Sequence, residues 1–142
     1  MTVHLIKLCV GVDSVEELAT WQAGRLKELK KKKRPLVLMH VTRMTPKRAE
    51  ELLDGGSLYW VIKGHIAVRQ KLVALKPVTK NGIPHCGLVY EPKLVPTLRR
   101  FHRPFQGWRY LDPKDVPPDA RGLKGKNLPE ALAIELAELG LL

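Results

Sequence analysis

The apolar positions of this chain recur at helical spacing in some segments and at strand spacing in others. The order of these segments predicts helices early and most of the strands late. Thr2 to Val10 is rich in Val, Leu and Ile, which is typical of a buried strand. Ser14 stands three residues before Glu17, a capping-box pattern that opens a helix. That helix is expected to run into a basic segment and to end before Pro35. Its predicted apolar stripe consists of Val15, Leu18, Trp21, Leu26 and Leu29.

The next segment predicts a strand, a short helix and a second strand. Leu36 to Val41 is a short apolar run of the kind that forms a strand. Thr45 before Pro46 is a helix-start signal, and the helix predicted over Pro46 to Leu53 stops at a Gly-Gly pair. Leu58 to Lys63 (LYWVIK) then predicts the following strand.

A long strand and a hairpin are predicted in the middle of the chain. His65 to Val78 alternates, but its phase is mixed, which indicates a bulge or register change near Lys71. Asn81-Gly82 is the strongest hairpin signal of the sequence and would turn the chain back into Ile83 to Tyr90.

The last part of the chain is rich in proline. Six prolines between Glu91 and Arg121 predict an extended loop with one short strand, Trp108 to Leu111. An amphipathic helix is predicted from Leu128 to Leu139. We therefore expect one α+β domain over residues 1–122, followed by a linker and C-terminal helix over residues 123–142. The sheet should be small, curved and mostly antiparallel, or an open barrel, with flanking helices.

The charge of the chain is concentrated in its centre. The net charge is +11, and residues 55–111 carry one carboxylate, Glu91, against ten bases. The same stretch holds seven of the eight aromatic residues. Because Lys and Arg neutralise phosphates while aromatic faces stack on unpaired bases, a nucleic acid is the first partner to expect. The basic run Lys30 to Arg34 is either a solvated helix end or a further phosphate contact.

Composition and residue spacing argue against several other classes of protein. A hydrophobic content of 44% with 27% charged residues is typical of a folded protein. Cys9 and Cys86 lie far apart and form no metal-ligand pair, although a disulfide between them stays open. The five histidines show no chelating spacing, so neither a metal nor a cofactor is predicted. No export signal or membrane-spanning stretch is recognisable, and we expect a cytoplasmic protein without a membrane partner.

Several segments resemble a known family. HVTRMTPKRAEELL, SLYWVIKGHIAVRQKLVAL, CGLVYEP and RPFQGWRYLDP resemble a bacterial, mainly alphaproteobacterial, family of uncharacterised proteins known as a domain of unknown function. This resemblance covers roughly residues 1–122 and implies no activity. The order of short helix, glycine turn, tryptophan-containing strand and basic strand is also similar to PUA-like domains, including ASCH and EVE domains. Members of that group bind RNA or modified bases, and some cut RNA, but the GxKxxExR motif of ASCH domains is only hinted at between Gly64 and Arg69.

The segment LRRFHRPFQGWRY has the strongest binding chemistry. Its arginines can pair with phosphates, and its aromatic rings can stack on bases, unless those rings fill the core beneath the loop. Tyr59 and Trp60 point to opposite faces of a strand, so one is expected in the core and the other could line a pocket. Arg69 and Lys71 share a strand face and either extend the basic track or are simply solvated. The candidate nucleic-acid-binding residues are Tyr59, Arg69, Lys71, Arg99, Arg100, Arg103, Phe105, Trp108 and Arg109.

The function expected from these residues is nucleic-acid binding, with RNA preferred because the sequence shows no major-groove reader. An alternative is metal-independent RNA processing, in which histidine shuttles a proton and a cation stabilises the phosphorane. The candidates for that chemistry are Tyr59, His65, Arg69 and His102. A third class is an interaction protein whose basic face docks an acidic partner. The oligomeric state is left open.

Overall fold

The computed structural model of the protein describes residues 1–120, which form a mixed sheet of seven strands with two α-helices. The strands are β1 (His4–Leu8), β2 (Leu38–Thr42), β3 (Ser57–Ile62), β4 (His65–Lys80), β5 (Ile83–Tyr90), β6 (Val95–Phe101) and β7 (Trp108–Leu111). The helices are α1 (Val15–Lys31) and α2 (Ala49–Leu52), and a 3-10 turn spans Pro113–Asp115. The linker and helix predicted over residues 123–142 lie outside the described residues.

The sheet has the strand order β2-β5-β4-β3-β1-β7, with β6 pairing β4 off this path. Strands β1 and β3 pair in parallel, and the other pairings are antiparallel. The prediction of an α+β fold with a mostly antiparallel sheet is therefore confirmed for the part of the chain described here. The sheet is open and does not close into a barrel.

Strand β4 carries the irregularity that its mixed phase predicts. Leu72 pairs with Tyr90 while Ala74 pairs with Val89, so one residue is inserted two positions after Lys71. Because a bulge bends the strand that contains it, β4 can pair with β3 and β6 along its first half and with β5 along its second.

Two tight turns shape the ends of β4. Asn81 and Gly82 have φ of 52° and 76°, the left-handed pair that a two-residue hairpin needs, and the predicted hairpin is confirmed. Lys63 and Gly64 have φ of 49° and 79° and form a second such turn between β3 and β4. The Lys63–Gly64 turn marks the end of the sheet where the candidate site lies.

The predicted start of the second helix is wrong by three residues. Helix α2 begins after Arg48 rather than after Thr45, and no side chain caps it. The Tyr110 hydroxyl accepts from the backbone N–H groups of Lys47 (2.8 Å) and Arg48 (3.1 Å). A tertiary partner therefore satisfies donors that a longer helix would have had to cap.

The proline-rich segment contains a strand that proline counting missed. Residues Val95–Phe101 form β6, with Pro96 opposite Val68 of β4. On the other edge of β6, Pro96 O accepts from Ala120 N, so a short segment around residues 119–120 covers this edge. Proline is tolerated on such edges because it removes few ladder hydrogen bonds.

Helix α1 begins as the capping pattern predicts. Ser14 Oγ accepts from Glu17 N (3.1 Å), while Glu17 Oε2 accepts from Asp13 N (2.9 Å). The helix buries Leu18 and Leu29 of the expected stripe. Trp21, expected in the same stripe, is 61% exposed, and Gln22 is buried in its place. None of the helices described is long and apolar enough to cross a membrane.

The two faces of the sheet carry separate cores. The larger one holds Leu18 of α1 with Leu5, Trp60, Leu88 and Tyr90 of the sheet. The smaller one consists of Ile6, Tyr59, Val61, Ile66 and Leu111, with Leu8, Phe105 and Val116 packed against it. Because strand side chains alternate between faces, Trp60 belongs to the helix side and Tyr59 to the opposite side.

Candidate nucleic-acid interface

Several strand ends meet around the Lys63–Gly64 turn. Parallel pairing of Leu8 with Val61 brings the ends of β1 and β3 together. The end of β6 joins them because Phe101 pairs with His65. Strand β7 starts here as well, because Trp108 pairs with Lys7. We call this region, made of residues 62–65 and 101–109, the Gly64 end.

The loop between β6 and β7 is anchored at the Gly64 end. His102 N donates to Gly64 O (2.8 Å), and the His102 ring meets the edge of Phe105 at 4.9 Å between centroids. Phe105 packs on the smaller core from above. The Arg109 guanidinium lies over the Phe105 ring at 5.6 Å from its centroid, a cation–π geometry that orients this cation at the surface.

The outer surface of the Gly64 end combines one bare ring with three cations. Phe101 is 64% exposed at the last position of β6. Lys63, Arg103 and Arg109 are exposed, and no carboxylate of residues 1–120 forms an ion pair with any of them. The structure thus brings Arg103, Phe105 and Arg109 of the predicted set together.

Two further predicted arginines lie on β6 and make contacts within the fold. Arg99 is half-buried and donates through Nη1 to the carbonyl oxygens of Ala67 (3.0 Å) and Thr97 (3.1 Å). Arg100 is exposed, and its Nη1 donates to Asp115 O at 2.6 Å, which ties β6 to the 3-10 turn. Both guanidinium groups therefore hold the backbone around the interface.

Arg69 and Tyr59 are engaged in the fold. The Arg69 guanidinium pairs bidentately with Asp119 (2.8 and 2.7 Å) and donates to Ser57 Oγ (3.0 Å). The bonded carboxylate raises the pKa of Arg69 above its ordinary value. Tyr59 is 3% exposed and meets His4 edge-on at 5.3 Å, and burial raises its pKa. Both side chains are therefore held by contacts within the fold.

Lys71 and Trp108 also lie apart from the exposed cluster. Lys71 is exposed but pairs with Ser57, at the start of β3, about 17 Å along the strand from Ile62. Trp108 is half-buried on the helix side, and its Nε1 donates to Met44 O (2.8 Å). It packs edge-on against Tyr110 at 4.9 Å, so the core interpretation holds for this ring.

The residues named for RNA cleavage do not converge on an accessible surface. His65 is buried and its Nδ1 lies 3.2 Å from Lys63 O, whereas His102 lies on the loop with Nδ1 2.8 Å from Arg103 O. Tyr59 and Arg69 pair with each other further along β3 and β4. Among residues 1–120, no group of three or more His, Cys, Asp or Glu side chains is arranged to hold a metal ion.

Sequence reasoning missed a cavity on the helix side of the sheet. It has a volume of about 300 Å³ and lies between the segment that follows β1, helix α1 and strand β2. Its principal walls are Trp21, Trp60, Tyr90, Lys7 and His40, and we call it the Trp60 cavity. A second cavity of about 260 Å³ shares Trp21 and Tyr90 with it and is lined by Arg34 and Lys76. No sequence signal announces either space, since the lining residues come from elements far apart in the chain.

A buried hydrogen-bond network orients the indole of the Trp60 cavity. Trp60 Nε1 donates to Gln70 Oε1 (2.9 Å). Gln70 in turn exchanges two bonds with Gln22 of α1 (2.9 and 2.7 Å) and donates to Glu91 O (3.1 Å). His40 and Tyr90 meet the Trp60 ring edge-on, at 5.6 and 6.0 Å.

Burial changes the protonation of the groups around this cavity. Burial, reinforced by Lys7 and Lys80, lowers the pKa of His40 to about 4. Burial also lowers the pKa of Lys7, and it raises the pKa of Cys9 to about 11 and that of Tyr90 to about 12. At neutral pH the cavity therefore presents a neutral imidazole, a thiol and a phenol.

Comparison with known proteins adds a family. The family model described as a protein of unknown function, DUF1489, matches residues 5–142, which confirms the resemblance to an uncharacterised family. No curated protein and no solved structure matches the chain.

Proposed function

The chain belongs to the DUF1489 family, whose description gives no activity, and we propose that it is a nucleic-acid-binding module that prefers single-stranded RNA. The Gly64 end is the proposed contact surface. The observation that carries the proposal is Phe101, 64% exposed at a strand end and flanked by cations without carboxylate partners among the residues described.

The exposed ring supplies a stacking platform. An unpaired base has two flat faces, and an aromatic side chain that is already bare covers one of them at little conformational cost. Phe105 adds a second, half-buried ring beneath the Arg109 guanidinium. Rings with cations beside them are the combination that binds the bases and phosphates of a single strand.

The cations supply the salt-dependent part of the affinity. Lys63 lies in a tight turn, Arg103 in the short loop between β6 and β7, and Arg109 in strand β7, so the backbone at all three is constrained before any ligand binds. Arginine pairs bidentately with phosphate oxygens, and each neutralised phosphate releases condensed counterions. The net charge of +11 attracts a polyanion to this surface from a distance.

The two helices described argue for a single strand over a DNA duplex. Helix α1 packs on the sheet through Leu18, Gln22 and Leu29, and α2 has four residues. They do not form the paired helices that place a recognition helix in a major groove. Unstacked bases against rings are instead the usual mode of RNA recognition.

Three finer assignments belong to this proposal. The likeness to PUA-like domains has the support of an open, mostly antiparallel sheet with two helices. A bacterial, mainly alphaproteobacterial origin has the support of the sequence segments that carry the family resemblance. A cytoplasmic location agrees with an RNA partner. RNA processing is not proposed, because Tyr59 and His65 are buried and Arg69 is paired with Asp119, so the candidates do not form an accessible site.

The proposal is tested by binding of a labelled, unstructured RNA over a series of salt concentrations. Phe101→Ala should weaken binding by about 1–3 kcal/mol, the usual contribution of one stacked base. Arg103→Gln and Arg109→Gln should each make the negative slope of log K against log salt shallower by about 0.7. The matched controls are Ile83→Ala, at the hairpin opposite the Gly64 end, and Lys71→Gln, on an exposed position about 17 Å along the strand from Ile62, and both should leave affinity and slope unchanged.

Two results would contradict the proposal. One is the absence of RNA binding, or binding that does not respond to salt. The other is an equal loss of affinity in the Gly64-end variants and in the two controls, since general charge rather than this surface would then explain the binding. Retention of a protein partner after nuclease treatment of a pull-down would favour the class of acidic-partner docking.

A further inference from the structure

The walls of the Trp60 cavity suit a flat ring. Trp60 and Tyr90 are 3% and 2% exposed and form its floor, whereas Trp21 is 61% exposed and stands at its mouth. The bond from Trp60 to Gln70 prevents the floor indole from turning. A volume of about 300 Å³ is at the lower limit of ligand pockets, so it accommodates one small ring system rather than a large ligand.

The polar groups of the cavity are available to a ligand. Within residues 1–120, no side-chain hydrogen bond engages the Lys7 ammonium, the His40 ring or the Tyr90 hydroxyl. Lys7 and His40 are half-buried residues of the cavity lining, so with Tyr90 they can offer donors and acceptors to a molecule bound there. Neutral His40 can donate from one ring nitrogen and accept at the other.

The charge of the cavity determines which ring fits. Aromatic walls alone would also suit a cation. Lys7, however, is half-buried and has no carboxylate partner in the described part of the chain, so a cationic ligand is repelled. A neutral ring with carbonyl or ring-nitrogen acceptors is attracted to the same ammonium group. Nucleobases have this combination of flat faces and edge acceptors.

The neighbouring cavity supplies a place for phosphate. It adjoins the Trp60 cavity across Trp21 and Tyr90, and Arg34 and Lys76 line it. Neither cation forms an ion pair with a carboxylate of residues 1–120. A ring in the first cavity therefore has cations within reach of an attached sugar-phosphate.

The mouth of the Trp60 cavity lies at the same end of the sheet as the proposed interface. Cys9, Val10 and Gly11 line the cavity and directly follow β1. Strand β1 ends at Leu8, opposite Val61, two residues before the Lys63–Gly64 turn. A strand held at the Gly64 end can thus reach the cavity by passing around the end of β1.

We propose that the Trp60 cavity binds one nucleobase, stacked by Trp21 and contacted at its edge by Lys7 and His40, with its phosphate towards Arg34 and Lys76. The inference rests on the proposed function for the strand that supplies this base. The same recognition chemistry would hold a free mononucleotide, and the experiment separates the two sources.

The test measures binding of the four ribonucleoside monophosphates and of an intact RNA oligonucleotide. It also measures binding of a series of oligonucleotides of the same sequence, each with a single abasic position at a different place. In the wild-type protein at least one monophosphate should bind, or one abasic position should weaken RNA binding by about 5- to 150-fold, the equivalent of one lost stack. Trp21→Leu and Lys7→Met should abolish that effect. Trp21→Phe should retain it, because phenylalanine keeps a stacking face, and Ile83→Ala serves as the control for an exposed apolar truncation.

Each outcome decides the proposal. A position-specific abasic effect lost in Trp21→Leu supports a base of the bound strand, and monophosphate binding lost in Trp21→Leu supports a free nucleotide. Salt-dependent RNA binding without either effect overturns the cavity assignment and leaves the proposed function standing. Monophosphate binding without RNA binding retains the cavity and overturns the proposed function. Binding that Trp21→Leu and Trp21→Phe change equally also overturns the cavity assignment.

Discussion

The Gln22–Gln70 pair offers the sharpest test of how the sheet and helix α1 are held together. Gln70 is 0% exposed and Gln22 is 2% exposed, so both amides have left water entirely. Gln70 also accepts from Trp60 Nε1 and donates to Glu91 O. The two amides bond to each other, but of the two only Gln70 is also bonded to other groups among the described residues. Substitution of each by leucine should therefore have unequal effects.

The magnitudes follow from the groups left without partners. Gln22→Leu removes two neutral hydrogen bonds at about 0.5–1.5 kcal/mol each, while Gln70 keeps Trp60 and Glu91. Burial of the leucine offsets part of this, so the net loss of unfolding free energy should be about 1–2 kcal/mol. Gln70→Leu leaves the Gln22 amide, the Trp60 N–H and the Glu91 carbonyl unpaired, at about 1–3 kcal/mol for each group. The expected loss is about 3–5 kcal/mol.

The assay is urea unfolding followed by circular dichroism, with the free energies taken by linear extrapolation. The double variant should lose about 1–2 kcal/mol less than the sum of the single variants, because Gln22 is no longer left unpaired when it too is replaced. Gln106→Leu, on the exposed loop, is the control for the chemical change and should remain within about 0.5 kcal/mol of wild type. Equal losses for the two single variants, or strict additivity, would refute the reasoning.

Three further predictions concern the stability of the fold. Gly56→Ala should lower the unfolding free energy by about 1–3 kcal/mol or more, because a Cβ there would overlap the carbonyl oxygens of Leu52 and Val3. Gly24→Ala, where a Cβ meets nothing within 4 Å in helix α1, should instead stabilise by about 0.5–1 kcal/mol, and a loss there would contradict the packing described. Because burial lowers the pKa of His40 from 6.5 to about 4, the unfolded chain takes up the proton first as pH falls. Stability should therefore decline between pH 6.5 and 4, and the slope of unfolding free energy against pH should be smaller in His40→Asn.

Local signals were sufficient for the turns and for most strands. Asn81-Gly82 predicts its hairpin because only left-handed φ angles close a two-residue loop there, whatever the surroundings. Ser14 predicts the start of α1 for a similar reason, since the bond to Glu17 N spans three residues. Strand β5 has the predicted bounds, Ile83–Tyr90, and β7 the predicted bounds, Trp108–Leu111.

Predictions that depended on the surroundings of a side chain were less accurate. Arg69 looked like a phosphate contact, but its carboxylate partner lies 50 residues away in the chain. The start of α2 was misplaced because Tyr110 binds the backbone before it. Trp21 was expected in the buried stripe of α1 but is 61% exposed, because Gln22, bonded to Gln70, is the residue that α1 buries there.

The sequence alone determined the α+β class, the mostly antiparallel sheet, the main turns and the concentration of positive charge. Periodicity, turn chemistry and net charge are local or additive properties, so they can be read without the tertiary structure. Tertiary structure decided which cations stay unpaired at the Gly64 end, which rings are bare, and that a cavity exists between α1, β1 and β2. Those features depend on which distant residues become neighbours. Asp119 pairs with Arg69 and so holds this cation within the fold, and the two residues are 50 positions apart, too far for a local sequence pattern to reveal the pair.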